Sequence, residues 1–242
     1  MFIEKNSITK SIWYLKYFGD AEATIRYFFC FKLLKSKLNL AKLYTVVDFG
    51  GGSRTIYPEF CELISTDKIK LTSVDTVFNS KIKNEKVIYL TPKELTKEQY
   101  DLGICLDTLE HIPPEKRNDF ISELDVRVTK TLILAFPCDV KAAKQDLLLH
   151  NIYKQKYGVS HKFLQEHVDY NLPNFTEVEG YFLSKNYKVK TYKQMNLTYR
   201  KLFMYLWIKT PKLFRLLSPF IVFLGQFTNF GNCYRKYLVI EK

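Results

Sequence analysis

Two short stretches of this 242-residue chain carry residues able to do chemistry. One is Asp107-Thr108-Leu109-Glu110-His111, two acids and an imidazole directly after the apolar run Tyr100 to Leu106. A histidine placed there can take or give a proton near neutral pH, and it can equally cap or stack at the end of a strand. The other is Asp48-Phe49-Gly50-Gly51-Gly52, an acid beside a glycine triplet. Glycine lets the backbone turn sharply and come close to a ligand, because no Cβ stands in the way. A phosphate-binding P-loop would continue Gly-Lys-Ser/Thr, whereas this chain has Gly52-Ser53-Arg54; the dinucleotide fingerprint asks for a glycine where Thr55 stands. What remains is acid-x-Gly-x-Gly, which also fits a plain chain reversal.

The elements that position these stretches follow from apolar periodicity. Residues from about Ile12 to Leu40 read as a helix with a broad apolar face and a basic edge. Strands are expected at Leu43 to Val47, Lys70 to Val74, Val87 to Leu90, Tyr100 to Leu106, Thr131 to Phe136, Tyr187 to Tyr192 and Tyr237 to Ile240. Helices are expected after the glycines (Pro58 to Leu63), from Pro114 through Val128, over Val140 to Tyr157 with Gly158 as its C′ residue, and from a Thr176 to Glu179 capping box to about Asn186. The segment Ser160 to His167 is read as a loop. Strands alternating with helices imply an α/β chain with a doubly wound, mainly parallel sheet. Asp75 ends the second strand, where an acid is placed to accept hydrogen bonds from ribose hydroxyls.

Together, Asp48-Phe49-Gly50-Gly51-Gly52, Asp75 and Asp107-Thr108-Leu109-Glu110-His111-Ile112-Pro113 resemble the motif series of class I S-adenosylmethionine-dependent methyltransferases. The run His161-Lys162-Phe163-Leu164-Gln165-Glu166-His167 with Leu172-Pro173 is similar to a bacterial subgroup associated with cell-surface polysaccharide genes. The resemblance implies a Rossmann-like, seven-stranded sheet with an antiparallel last strand, and S-adenosyl-L-methionine as cofactor. It implies Asp48, Gly50, Gly51, Gly52, Asp75, Asp107 and Glu110 around that cofactor, with Asp107 near the transferable methyl. An acid beside a ligand that carries an ammonium and a sulfonium is electrostatically sensible. His111 and Asp107 are the catalytic candidates, and His161 and His167 are assigned to the acceptor rim. The adenine acid of many relatives is replaced by Thr91, with Glu94 the nearest alternative. A six-residue histidine spacing on a loop makes no metal pattern, so no metal is expected.

The whole chain reads as one domain: a helical cap over 1–42, a cofactor-binding core over 43–195, a helical insertion over 196–232 and a last strand over 233–242. The insertion, Tyr199 to Phe230, is rich in Leu, Phe and Ile, broken at Pro211 and Pro219, and edged by lysines and arginines. It is too short in its apolar run to span a membrane. It suits a lid over the acceptor site, or a helix pair lying on an anionic membrane surface. A net charge of +12 points to a polyanionic neighbour or to lysine-rich composition alone. No appended RNA-binding module is visible, so an rRNA or tRNA methyltransferase and a catalytically silent membrane scaffold are secondary readings. Five scattered cysteines without a Cys-x-x-Cys pair fit a reducing compartment. The expected place is the cytoplasm, at most peripheral to the inner face of the membrane, with a small-molecule or glycan acceptor.

Overall fold

The computed structural model describes residues 21–38, 42–52, 69–76, 87–96 and 99–242. The helix expected at Pro58 to Leu63, the first part of the N-terminal helix and Cys61 lie outside these residues.

Seven strands form one sheet in the order β3-β2-β1-β4-β5-β7-β6. The strands β1 (Tyr44–Phe49), β2 (Ile69–Val74), β3 (Val87–Leu90), β4 (Tyr100–Leu106) and β5 (Val128–Pro137) pair in parallel. The last, β7 (Cys233–Glu241), runs antiparallel to both its neighbours and separates β5 from β6 (Lys188–Asn196). Leu132 through Phe136 on β5 have no exposed surface at all, as a strand covered on both faces requires. On one face, Tyr27, Cys30 and Phe31 of α1 (Ala21–Lys35) pack on Val46, Ile104, Ile133 and Val239. On the other, Leu124 of α2 (Arg117–Arg127) and Phe182 of α5 (Phe175–Ser184) meet Val47, Leu132 and Leu134.

Beside the sheet, a helical layer has its own core. Leu149 of α3 (Val140–Tyr157), Leu164 of α4 (Lys162–Tyr170), Phe203 and Ile208 of α6 (Leu197–Lys209), and Phe214 and Val222 of α7 (Pro211–Gly225) pack with Ile25 of α1.

Several expectations are corrected here. The segment Ser160 to His167 is no loop: from Lys162 it is helix α4. Helix α5 is capped by Asn174, whose side chain accepts from Thr176 N at 3.0 Å, so its start precedes the expected capping box. Val128 opens β5 rather than closing the preceding helix, because that side chain is buried against Tyr100 on the neighbouring strand. Pro211 starts α7, where its missing N–H is no loss, but Pro219 lies inside α7 without ending it. Ser218 beside it donates back to the Phe214 and Arg215 carbonyls at 2.9 Å.

α7 is seated on α1 closely enough to leave no room at Gly225. A Cβ there would stand 2.5 Å from Ile25 Cδ1 and 2.9 Å from Cγ1. Gly225→Val is therefore expected to destabilise the fold by about 1–3 kcal/mol through overpacking, read as a lower Tm by circular dichroism. An unchanged Tm would mean that the two helices are not in contact.

Candidate active site

The carboxyl ends of β1, β2 and β4 converge on one edge of the sheet, where open α/β folds hold their ligands. At the end of β1, Gly50 and Gly52 both adopt left-handed backbone, φ +77° and +71°. Gly52 N donates to Asp75 Oδ2 at 2.8 Å, so the acid at the tip of β2 braces the glycine turn. The two glycines differ in surroundings. A Cβ on Gly50 would lie 2.1 Å from Thr108 Oγ1, whereas a Cβ on Gly52 meets nothing within 4 Å among the described residues. Gly50 is thus required for close packing against Thr108, just after β4, whereas Gly52 is unobstructed among the described residues. Thr108 Oγ1 donates to Phe49 O at 3.2 Å, joining the two strand ends.

Asp48 is fully buried and accepts from Tyr27 OH at 3.0 Å. Burial pushes its carboxyl well above the usual range, further than the Tyr27 bond lowers it. The nearest acid to the adenine position, Glu94, is spent on capping: it accepts from Thr91 N and Thr91 Oγ1, both at 2.7 Å.

At the end of β4 the chain turns at Asp107, which also has left-handed backbone, φ +48°. Its carboxylate accepts from Arg26 Nη1 on α1 at 2.6 Å, and from both Nε and Nη2 of Arg235 on β7. Burial alone would raise this acid, but the Arg235 and Arg26 guanidiniums prevail and hold it well below the usual carboxylate range. The charges continue inward. Glu22 accepts from Arg235 and from Arg200 Nε at 3.1 Å, and Arg200 Nη1 donates to Asp146 Oδ1 at 2.8 Å. Asp146 Oδ2 also accepts from Tyr234 OH at 2.8 Å.

After Asp107, Leu109–His111 form a single 3-10 turn. Glu110 is 1 % exposed, and neither of its carboxylate oxygens has a hydrogen-bond partner among the described residues. Burial, and then the charge of Asp107, push this acid well up. Across from it, His167 Nε2 lies 3.9 Å from Glu110 Oε1, while His167 Nδ1 meets Asp146 Oδ2 at 2.8 Å. The His111 and His167 rings are 4.9 Å apart. Burial and then His167 lower His111 to about 3, while Glu166 Oε2, 2.8 Å from His111 Nδ1, pulls the other way.

Of the residues marked by sequence, Asp107, Glu110, His111 and His167 share one site, next to the turn that holds Gly50, Gly51, Gly52 and Asp75. His161 packs edge-on against Trp207 and Tyr153 and also against Phe163, whose ring in turn meets His111. Sequence reasoning missed Glu22, Arg26, Asp146, Arg200 and Arg235. One signal was available: Gln145 and Asp146 interrupt the buried stripe Ala142 to Leu149 of α3 with polar groups.

No protein-family model matches the sequence, and no curated protein does. Among solved structures, the chain is similar to the cyclopropane synthase MmaA2 of Mycobacterium tuberculosis (12 % identity, TM-score 0.52, 88 % of this chain and 82 % of that one). It is similar to the mycolic acid cyclopropane synthase CmaA1, solved with SAH and CTAB (11 % identity, TM-score 0.52, 88 % and 82 %). It is also similar to phosphoethanolamine N-methyltransferase 2 of Haemonchus contortus in complex with S-adenosyl-L-methionine (13 % identity, TM-score 0.51, 87 % of this chain, 51 % of that one). At such identities the matches establish the fold, the Rossmann-like methyltransferase architecture with its antiparallel β7.

Asp107→Asn leaves Arg235, which is 0 % exposed, with much of its counter-charge gone, and is expected to cost about 3–5 kcal/mol at pH 7. A carboxyl depressed on folding stabilises above its unfolded pKa, and that contribution is lost as pH falls through the folded value. Tm should therefore fall more steeply below about pH 4 in the wild type than in the variant. Parallel Tm curves between pH 7 and pH 3 would remove Asp107 from this role.

Proposed function

We propose that the chain transfers a methyl group from S-adenosylmethionine to an oxygen or nitrogen of a small-molecule or glycan acceptor. The reading is carried by the turn at the end of β1: Gly52 is unobstructed among the described residues, is braced by Asp75, and adjoins the acid–imidazole cluster after β4. The residues present fit the cofactor. Gly50, Gly51 and Gly52 would let it approach the backbone, Asp75 would hold its ribose hydroxyls, and Asp107, held ionised, would stand near its cationic half, while Asp48 and Glu110, whose carboxyls burial pushes up, would offer hydrogen bonds rather than charge.

When bound, S-adenosylmethionine supplies an electrophilic methyl whose C–S electron pair returns to sulfur as the acceptor atom takes the carbon. Alignment supplies most of the acceleration in such a displacement, so the task of the protein is to fix two partners. Asp107, gripped by two guanidiniums, is fixed at the rim. His111, in its neutral form, can accept a hydrogen bond from an acceptor O–H or N–H. His167 borders the same space.

The acceptor reading draws on α6 and α7. No described helix is long and apolar enough to cross a membrane. Yet Leu213, Leu216, Phe220, Phe223 and Leu224 recur at helical spacing on the outward face of α7, with Phe227 just past its end, and all are exposed. The opposite face, Phe214, Ser218, Ile221, Val222 and Gly225, is buried. A helix apolar on its outer face as well, flanked by exposed Lys209, Lys212 and Arg215, suits the interface of an anionic membrane. A lid would turn that face inward. A lipid-linked glycan at the cytoplasmic leaflet would present an acceptor there, in keeping with the polysaccharide-gene resemblance.

Gly52→Ala should weaken S-adenosylmethionine binding at least tenfold by calorimetry, while left-handed strain lowers stability by only about 1–2 kcal/mol. Asp75→Ala should weaken it by about 1–3 kcal/mol. Unchanged affinity in both would sink the cofactor assignment. In vesicle co-sedimentation, binding should require anionic lipid, fall with salt, and disappear in Lys209→Glu/Lys212→Glu. Methyl transfer from labelled cofactor into lipid, polysaccharide, RNA and small-molecule pools then identifies the acceptor, and label entering RNA alone would overturn the glycan reading.

A further inference from the structure

Glu110, His111 and His167 offer ligand atoms that all lie within 4.8 Å of one another. The donor set is one carboxylate and two imidazoles. Ligands about 2.0–2.1 Å from a tetrahedral Zn²⁺ sit roughly 3.3 Å apart, so the 3.9 Å between His167 Nε2 and Glu110 Oε1 is closed by a small side-chain movement.

Three observations argue for an ion there. First, polar atoms facing the centre are unsatisfied. Both oxygens of Glu110 and His167 Nε2 make no hydrogen bond among the described residues, whereas His111 Nδ1 is already paired with Glu166 Oε2 at 2.8 Å. A buried acid whose oxygens lack hydrogen bonds among the described residues is costly to ionise, whereas coordination to a cation satisfies it. Second, His167 is oriented as metal-bound histidines are: Nδ1 is engaged by the Asp146 carboxylate, which leaves Nε2 to point at Glu110. Asp146 is itself fixed by Arg200 and Tyr234. Third, the two elements that carry the ligands are clamped together. Arg117 Nε donates to Leu109 O and Ile112 O at 3.2 and 3.0 Å, and its Nη2 donates to Tyr170 O and Asn171 O at 3.1 and 2.6 Å. One side chain thus ties the 3-10 turn to the end of α4.

We propose that Glu110, His111 and His167 bind one divalent first-row transition cation, with Zn²⁺ and Mn²⁺ the chemistry that suits two imidazoles and a carboxylate. Three protein ligands leave positions open for an acceptor hydroxyl. Resting on the methyl-transfer reading, the cation polarises that hydroxyl and lowers its pKa, as it does for bound water. The hydroxyl proton leaves to solvent, the oxygen forms the bond to the methyl carbon, and the C–S pair goes to sulfur. In that arrangement His111 is a ligand in its neutral form rather than the proton acceptor.

The test uses the full chain, stripped with chelator and dialysed, without S-adenosylmethionine. Calorimetric titration with ZnCl₂ and with MnCl₂, and elemental analysis after gel filtration, should give one ion per chain for at least one metal. His111→Ala, at a partly exposed position, and Glu110→Gln should each weaken binding at least tenfold, with circular dichroism confirming the fold. Co²⁺ loaded into the wild type should show d–d absorption that shifts in His111→Ala. No stoichiometric binding to the wild type, or binding unchanged in both variants, overturns the proposal. S-adenosylmethionine affinity measured on the same metal-free protein separates the two readings: an ion without cofactor binding defeats methyl transfer alone, and cofactor binding without an ion defeats this site alone.

Discussion

The fold depends on keeping two buried guanidiniums paired. Arg235 is 0 % exposed and Arg200 is 2 % exposed, and a charge so far from water is tolerated only where ion pairs and hydrogen bonds replace its hydration. The replacements come from Asp107 at the end of β4, Glu22 on α1, Gln194 on β6, and Gln145 and Asp146 on α3. The Tyr234 ring lies 3.4 Å from the Arg200 guanidinium carbon and 5.5 Å from that of Arg235, adding the quadrupole of an aromatic face. Such a network specifies geometry more than it adds stability, since well-packed apolar groups often do as well. Here the geometry fixed is that of the sheet edge where Asp107, Glu110 and His111 stand.

This gives α1 a larger part than covering the sheet. Glu22 joins the two buried arginines, Arg26 grips Asp107, and Tyr27 donates to Asp48. Successive turns of one helix therefore reach both the charged cluster and the strand that ends in the glycines. The apolar side of the same helix packs on Val46 and Ile104, so its position along the sheet is set by packing and its polar contacts follow.

What sequence made legible was local. The glycine turn is read because left-handed backbone at Gly50 and Gly52 strongly favours glycine, and Asp75 because it directly follows a strand. The central strands are read from unbroken apolar runs such as Leu132 to Phe136. The charged network was illegible because its pairs join residues far apart in the chain: Arg26 and Asp107 are 81 residues apart, Asp107 and Arg235 are 128. A lone arginine in a strand reads the same whether it faces water or a buried carboxylate. Helix α4 was missed because it is only nine residues long and buries only Leu164, although Phe163, Leu164, His167 and Val168 do recur at helical spacing. That error hid the placement of His167 against Glu110, since only a helix leading from the loop carries that imidazole back to the strand edge.

The position of β7 has a consequence for the order in which the molecule forms. It is the last strand in sequence and yet lies between β5 and β6. Until it has emerged from the ribosome, β5 presents an open edge that is apolar from Leu132 to Pro137, and β6 has no neighbour to pair with. Arg235 arrives with that strand, so Asp107 must wait through more than half the length of the chain for its main counter-charge. Assembly is therefore dominated by non-local contacts, which form slowly, and the nascent chain carries the unpaired β5 edge from the completion of that strand until β7 is made, a surface open to mispairing.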